Sequence, residues 1–409
     1  MLEDENPVWR FLNYGTVPQL AEILGQKIVE PWDMNKDGKS LLHFAVEYRR
    51  PDICKYLLEE GMDKHFQDFS GCTAAMMALE MVIPSSVHPD KIIEGHELRG
   101  LFRDDSVAEV MNSSPLHLAI LNNEDDDISM ASKIGLIRFK NDQDGFGRTP
   151  LLWAAALNRP GTAIELLLNY GADHSSVDKH NKTALHWAMV SQAKEVARTL
   201  LKSGASLEAR DCFGRTPLHE TAKIPSSTGL IKMLVENGAV VDARDDIYER
   251  TPLHLAAYHG RPENILALLA NGANIDARAR PNGRTPLLMA ISYNRLDSVK
   301  MLLKQGADAA TVDDEGKSVL HLAARYSSVG IMKALKQTID EMAENVLSSP
   351  DLNQADCEGN TGEDYFFSYR KEYYHGEAAE EKEEKAAFED LVIAARGIEM
   401  PTFYDCSED

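Results

Sequence analysis

The sequence predicts an all-α array of stacked helix–turn–helix units joined by hairpin loops, and three observations predict it. Thr149, Thr183, Thr216, Thr251, Thr285 and Ser318 follow one another at intervals of 34, 33, 35, 34 and 33 residues. Gly171, Gly204, Gly238, Gly272 and Gly306 recur in step, 33, 34, 34 and 34 residues apart. Two unrelated residue types on one period mark a repeat architecture. Every period also carries the same local grammar of helix start, short helix, second amphipathic helix and stop.

The helix start is the hydroxyl residue, which suits an N-cap. The proline that follows in Thr149-Pro150, Thr216-Pro217, Thr251-Pro252 and Thr285-Pro286 fits the first helical position, where no amide donor is required. Leucine and small residues come next, as in Leu151 to Ala155, Leu253 to Ala257 and Leu320 to Ala324, so this first helix packs closely on its neighbours. A second helix shows apolar residues at helical spacing in Ile164, Leu167 and Leu168 and in Ile265, Leu268 and Leu269. The glycine stops it by accepting the left-handed conformation past a helix end. The extended segment after Gly272 then leads through a turn into the next unit.

These residues resemble the ankyrin repeat family. Thr251-Pro-Leu-His-Leu-Ala-Ala257 matches that family's signature, and Gly272-Ala-Asn-Ile-Asp-Ala-Arg278 looks like its closing segment. Weaker copies at Ser40-Leu-Leu-His43, Thr73-Ala-Ala-Met76 and Ser114-Pro-Leu-His117 extend the array upstream. The resemblance implies about nine repeats over residues 35–345, with units starting near 35, 68, 109, 144, 178, 211, 246, 280 and 313. The 41 residues from Thr73 to Ser114 imply an insertion near 81–90, around Pro84 to Pro89. Glu124 to Asp127 and Pro225 to Thr228 make two inter-helix loops atypical. Residues 1–34 read as a divergent N-terminal capping repeat with helices at Val8 to Tyr14 and Val17 to Lys27. Residues 346–409 read as a degenerate last repeat, a capping helix and an acidic tail. Asp356 to Thr361 resembles one more turn and helix start, and Phe388, Leu391, Val392 and Ala395 form an apolar stripe on the helix Glu377 to Arg396.

Charge bounds the function. The net charge is −22, yet residues 144–335 hold 23 basic and 20 acidic residues, whereas residues 340–409 hold 5 against 20. A protein this acidic repels phosphates, so nucleic acid is not the expected partner. The acidic start lacks a signal-type apolar run and no stretch reads as a membrane span, which leads to an expected cytoplasmic or nuclear location. The cysteines, Cys54, Cys72, Cys212, Cys357 and Cys406, are odd in number and contain no CxxC pair, so no disulfide framework or zinc site is expected.

No residue set reads as an active site, and the chain is expected to be no enzyme and to need no cofactor. His43, His117, His186, His219, His254 and His321 occupy one repeat position, too dispersed for a metal. The family resemblance implies that this histidine bridges adjacent units. Gly38-Lys39-Ser40 and Gly316-Lys317-Ser318 mimic the end of a phosphate loop, but Asp33 and Thr311 stand where its first glycine belongs, so they read as hairpin tips.

The remaining function is a surface. The resemblance implies a protein-interaction scaffold, expected to be monomeric, that binds a protein or peptide along hairpin tips and first helices; the alternative is a substrate-recruiting or inhibitory subunit of a multiprotein enzyme complex such as a ubiquitin ligase or signalling assembly. Before the capping hydroxyl stand Lys39, Arg148, Lys182, Arg215, Arg250, Arg284 and Lys317. The tips add Phe146, His180, Phe213 and Tyr248, the first-helix ends Tyr258, Tyr293 and Tyr326, and the hairpins Arg210, Arg244 and Arg278. Aligned, they form a cationic, aromatic stripe suited to an acidic peptide. On this reading, charge reversal at Arg215, Arg250 and Arg284 abolishes binding and leaves the thermal transition nearly unchanged. The tail either competes for the stripe or caps the array.

Overall fold

The computed structural model describes residues 12, 15–26, 33–48, 50–69, 73–75, 77–78, 113–122, 135–345, 355–373 and 378–395. The expected features at Val8 to Tyr14 (Leu12 apart), Met76, Pro84 to Pro89, Glu124 to Asp127 and beyond Ala395 lie outside them. Among the described residues the chain is helical, with isolated antiparallel bridges such as Ala279 with Arg284 and no longer strand. It divides into two units, Met1–Asp211 and Cys212–Asp409.

The first unit holds α1 (Val17–Gly25), α2 (Leu41–Glu47), α3 (Pro51–Glu59), α4 (Pro115–Asn122), α5 (Pro150–Ala156), α6 (Gly161–Asn169), α7 (Ala184–Val190) and α8 (Lys194–Lys202). The second holds α9 (Pro217–Lys223), α10 (Thr228–Glu236), α11 (Pro252–Tyr258), α12 (Pro262–Ala270), α13 (Pro286–Ser292), α14 (Leu296–Lys304), α15 (Val319–Tyr326), α16 (Val329–Asn345), α17 (Gly362–Tyr373) and α18 (Ala378–Ala395). Within each unit, first helices pack on first helices and second on second: α5 on α7 and α6 on α8, then α9 on α11 on α13 on α15 on α17, with α10, α12, α14 and α16 in a parallel row. Helices of seven to nine residues are too short to persist alone, so packing holds them. Leu253, His254, Leu255, Ala256 and Ala257 of α11 are all at most 1% exposed. Such a helix is buried on nearly every side, which is why its second half is alanine.

The starts form as the hydroxyl grammar requires, with one addition. Thr251 caps α11 with Pro252 at the first position, and the N3 residue is His254, whose Nδ1 accepts the Thr251 N–H at 3.1 Å. The histidine thus plays the part that glutamate or glutamine plays in an ordinary capping box. At the other end of the unit, Gly171, Gly204, Gly238, Gly272 and Gly306 all lie at φ between +81° and +99°, the left-handed stop that the spacing predicts.

Hairpin tips are laced to one another by backbone bonds. Lys179 N–H donates to Phe146 O at 3.0 Å in the first unit; Asp246 to Phe213 O at 3.0 Å, Arg280 to Tyr248 O at 2.7 Å and Cys357 to Glu315 O at 3.0 Å follow in the second. Gly147, at φ +76°, sits where the next tip crosses, and a Cβ there would lie 3.2 Å from Lys179 N.

The atypical loop before α10 is held from the next second helix. Asn264 of α12, fully buried, donates Nδ2 to Ala222 O at 3.1 Å and Ile224 O at 2.6 Å, and its Oδ1 accepts Ser227 N–H at 3.2 Å. Residues 355–373 keep the repeat's register: His321 Nε2 donates to Asn360 O at 2.9 Å, and Thr361 precedes α17. α18 then packs on α16, which has 17 residues where other second helices have nine. Phe388, Leu391, Val392 and Ala395 are at most 2% exposed, and Phe388 stacks on Phe366 with centroids 4.4 Å apart and rings 3° from parallel.

Candidate partner-binding surface

Most described tips are organised by an acidic residue absent from the expected site. Asp144 is 5% exposed; its Oδ1 accepts the N–H groups of Phe146 and Arg148 at 2.8 Å, and its Oδ2 accepts Arg148 Nε and Trp153 Nε1 at 2.8 Å. Asp178 takes His180 N–H, Lys182 N–H and Trp187 Nε1 in the same way. In the second unit Asp245 holds Tyr248 N–H, Arg250 N–H and Arg250 Nε, and Asp356 holds Glu358 N–H, Asn360 N–H and Tyr365 Oη–H. Asp313 holds Glu315 and Lys317 N–H and is reached by Arg284 Nε of the preceding tip at 3.3 Å, where Ala279 fills the position of an organising aspartate. A buried carboxylate with three or four donors is satisfied and rigid.

That arrangement corrects the reading of the basic column. Arg148 and Lys182 are 2% and 4% exposed, not presented to solvent, because each folds back over its own tip onto Trp153 or Trp187. Arg250 pairs with Asp245 at 3.0 Å and Lys317 with Glu315. Arg244 Nη1 donates to Arg278 O at 2.8 Å and Arg278 Nη1 to Val312 O at 2.9 Å, a ladder between successive hairpins, while Arg278 Nη2 pairs with Asp314 at 2.8 Å. Arg250 and Arg284 face carboxylates that are at most 1% exposed, so the expected charge reversal at Arg215, Arg250 and Arg284 would disrupt the tips and lower the thermal transition.

The aromatic part of the expected surface is on the outside. Phe213 and Tyr248 are 43% and 42% exposed, with Arg215 and Arg250 stacked on them at 4.9 and 4.3 Å. Phe146 is half-buried under Arg148 at 4.6 Å, and His180 and Arg210 are exposed. Tyr258, half-buried, meets Tyr293 with centroids 4.2 Å apart; Tyr293 and Tyr326 are 47% and 38% exposed.

The histidine column is structural. Nδ1 of His117, His219, His254 and His321 accepts from the capping residue, and Nε2 donates across to Arg148 O, Arg250 O, Arg284 O and Asn360 O at 2.9 to 3.1 Å. Both nitrogens have one role each, which fixes the neutral Nε2–H tautomer. Burial pushes the pKa of His117 down and holds His219 and His254 down to about 4, against the pull of the carbonyl acceptor. Gly38 and Gly316, from the phosphate-loop look-alikes, are hairpin tips at φ +79°. An open pocket of about 320 Å³ beside α17 is lined by both charge signs, Lys317 and Arg325 with Glu358 and Asp364. Among the described residues no group of three or more His, Cys, Asp or Glu is placed to hold a metal, and no helix is long and apolar enough to cross a membrane.

Sequence reading missed two columns. The aspartates Asp144, Asp178, Asp245 and Asp313 recur on the repeat period, four or five residues before the capping hydroxyl's neighbours, and that phase was the available signal. Arg50, Arg159, Arg261 and Arg295 stand just ahead of second helices and donate back to Gly15 O, Leu121 O, Lys223 O and Tyr258 O at 2.7 to 2.9 Å. For the last three the acceptor is at the C-terminal end of the preceding first helix, where a cation also meets the negative end of the dipole.

Residues 10–87, 116–211, 203–279 and 276–345 match the family model described as ankyrin repeats (3 copies). Among curated proteins, the chain is 28% identical to neurogenic locus notch homolog protein 1 of Xenopus tropicalis over 200 residues, 49% of this chain and 6% of that protein. It is 32% identical to the human protein of the same name over 184 residues, 45% of this chain. The match thus spans only about one twentieth of those relatives' length. Among solved structures, the human ASB11 ankyrin repeat domain aligns at a TM-score of 0.47 and 26% identity, covering 60% of this chain and 98% of that domain.

Proposed function

Because the chain belongs to the ankyrin-repeat family, whose repeats are generally protein–protein interaction modules, we propose that it is a non-enzymatic scaffold that binds a partner protein or peptide through its second unit. The observation that carries this reading is the set of large aromatic side chains left outside an otherwise packed stack: Phe213, Tyr248, Tyr293 and Tyr326, each 38% to 47% exposed. Aromatic residues supply much of the energy of protein interfaces, since each removes a large apolar area from water at a small entropy cost. Here they are also pre-positioned, three by a stacked arginine and one by a neighbouring tyrosine, so little further ordering is needed on binding. The paired state of Arg250, Arg284 and Lys317 leaves the tips nearly neutral, and the tips therefore select a partner by apolar anchors more than by charge.

The test is affinity capture with the full chain beside a Phe213→Ala, Tyr248→Ala, Tyr293→Ala form. A defined set of proteins depleted about tenfold by the triple substitution, with an unchanged melting transition, is the expected result. Equal recovery on both forms would refute the proposal.

A further inference from the structure

The hairpin tips are not all of one length. Asp144 to Thr149, Asp178 to Thr183 and Asp313 to Ser318 are five residues apart, whereas Asp245 to Thr251 and, in the next tip, Ala279 to Thr285 are six. The bonds of the tip identify the extra residue in the first of these. Asp178 and Asp313 each accept the N–H two residues on, from His180 and Glu315, but Asp245 accepts three residues on, from Tyr248 at 2.9 Å. Asp246 and Ile247 lie between. Asp246 N–H donates to Phe213 O, as Cys357 N–H does to Glu315 O at the same place in its tip, so Asp246 is the regular residue and Ile247 the added one. Its side chain is 51% exposed and therefore adds nothing to the packed stack.

Ile247 does not stand alone. Phe213 on the tip before, Tyr248 beside it and Pro281 on the tip after are all exposed, and the three tips are laced by Asp246 N–H to Phe213 O and Arg280 N–H to Tyr248 O. Adjoining apolar side chains left in water on three successive tips mark an interaction surface. The charges around them are closed. Asp245 holds Arg250, Asp313 holds Arg284, Glu249 holds Arg280 at 3.0 Å, and Asp246 folds onto Gly214, where a Cβ would overlap its carboxylate. The longer tip is also fixed in place. Glu249 takes the left-handed conformation at φ +51°, where Gly147 and Gly316 stand in other tips, and its carboxylate reaches Arg244 at 3.5 Å as well as Arg280.

Resting on the scaffold reading above, we propose that Phe213, Ile247, Tyr248 and Pro281 form a docking ridge for an extended, uncharged segment of the partner that carries apolar side chains three residues apart. The absence of charge follows from the pairing. A carboxylate or ammonium laid against these side chains would lose its water and find the neighbouring counter-ions already engaged, so apolar groups fit and ions do not. The spacing follows from the stack. Successive tips are set apart like the first helices α9, α11 and α13 that follow them, about 8 to 10 Å for packed helices. Three residues of a polyproline-type chain rise about 9 Å and return a side chain to the same face. A β-strand returns one after two residues, about 7 Å, and falls out of step.

Random phage-displayed peptides selected on the full chain test the ridge. Selected peptides are expected to carry Pro, Val, Leu or Ile at every third position, to be poor in Asp, Glu, Lys and Arg, and to bind equally well at about 50 and about 500 mM salt. Ile247→Ser weakens them about tenfold. Deleting Ile247 restores the five-residue tip of Asp313 to Ser318 and weakens them as much, with an unchanged melting transition; if the deletion lowers melting, Ile247→Ser decides. Leu266→Ser, at a site 44% exposed on α12, leaves them bound. Proline placed between the anchors is tolerated, which a helical peptide would not survive. The inference is overturned by charged peptides that salt releases, by loss of binding on the interposed proline, by an empty selection, or by peptides indifferent to Ile247. Peptides that need Tyr293 and Tyr326 but not Ile247 would sink the ridge and leave the scaffold reading standing; binders indifferent to all the exposed rings would sink both.

Discussion

Lowering the pH should unlock the stack through its capping histidines, and the size of the effect follows from the structure. His219 and His254 are neutral and buried, their Nδ1 lone pairs engaged by the cap and their Nε2–H by the next unit. A proton on Nδ1 would remove the acceptor and place a charge in an apolar interior, beside Arg244 and Arg250 at His254, while at His219 burial outweighs the favourable fields of Asp245 and Glu220. The folded pKa of about 4 lies below the unfolded value near 6.5, so the unfolded chain binds the proton first. The stabilisation is therefore complete above pH 6.5 and is lost as pH falls towards 4. Linkage over that window amounts to about 2 kcal/mol per histidine by pH 5 and about 3 kcal/mol by pH 4, so the pair removes about 4 kcal/mol at pH 5. Paired carboxylates such as Asp356 and Asp364, held below the usual range, lose their contribution only at lower pH and do not blur the window. Urea unfolding of the second unit, followed from pH 8 to pH 4.5, measures the loss. In a His219→Gln, His254→Gln form the glutamine carbonyl still accepts the capping N–H, so the chain folds but about 4 kcal/mol of the pH dependence disappears. Equal slopes for the two proteins, or a folded-state imidazole resonance that titrates near 6.5, would refute the tautomer and burial argument.

Other substitutions probe the remaining supports. Asp144→Ala strands the buried Arg148 guanidinium and three further donors, and should cost about 3 to 5 kcal/mol in chemical denaturation. Asn264→Ala releases the loop before α10 and should cost about 2 to 3 kcal/mol, with amide exchange rising at Ser227 before it rises in α12. Phe388→Ala removes the ring that joins α18 to α17 and should cost about 3 to 4 kcal/mol in the last transition of a thermal scan, while Ile393→Ala, at a site 70% exposed, should leave it unmoved.

The fold was legible because period and packing are the same fact: a helix that recurs at each unit and buries Leu253 through Ala257 on both sides must repeat its residues. Caps and stops were legible for the same reason, since Thr251 and Gly272 act through local backbone geometry alone. The site was only half legible. Aromatic exposure at Phe213 and Tyr248 follows from their place on a tip, but the fate of Arg148 or Arg250 depends on an aspartate four or five residues earlier whose carboxylate turns inward. A column of arginines reads as a binding stripe until its counter-column is seen. The arginines ahead of second helices, Arg50, Arg159, Arg261 and Arg295, each stand ten residues after a capping hydroxyl, so their period was readable, but the carbonyls they reach in the preceding unit were not.

The same polar bonds explain why charge in this protein cannot be moved freely. Tip aspartates hold their own tips, while hairpin arginines and capping histidines reach a backbone carbonyl of the next unit, so a repeat is finished by its successor. A basic residue placed before the cap is thereby recruited to the stack and withdrawn from partners. What remains for recognition is whatever the next repeat does not use, above all rings too large for the tip. Phe213 and Tyr248 meet that condition while Arg250 and Arg284 do not, because the carboxylates of Asp245 and Asp313 hold the two guanidiniums.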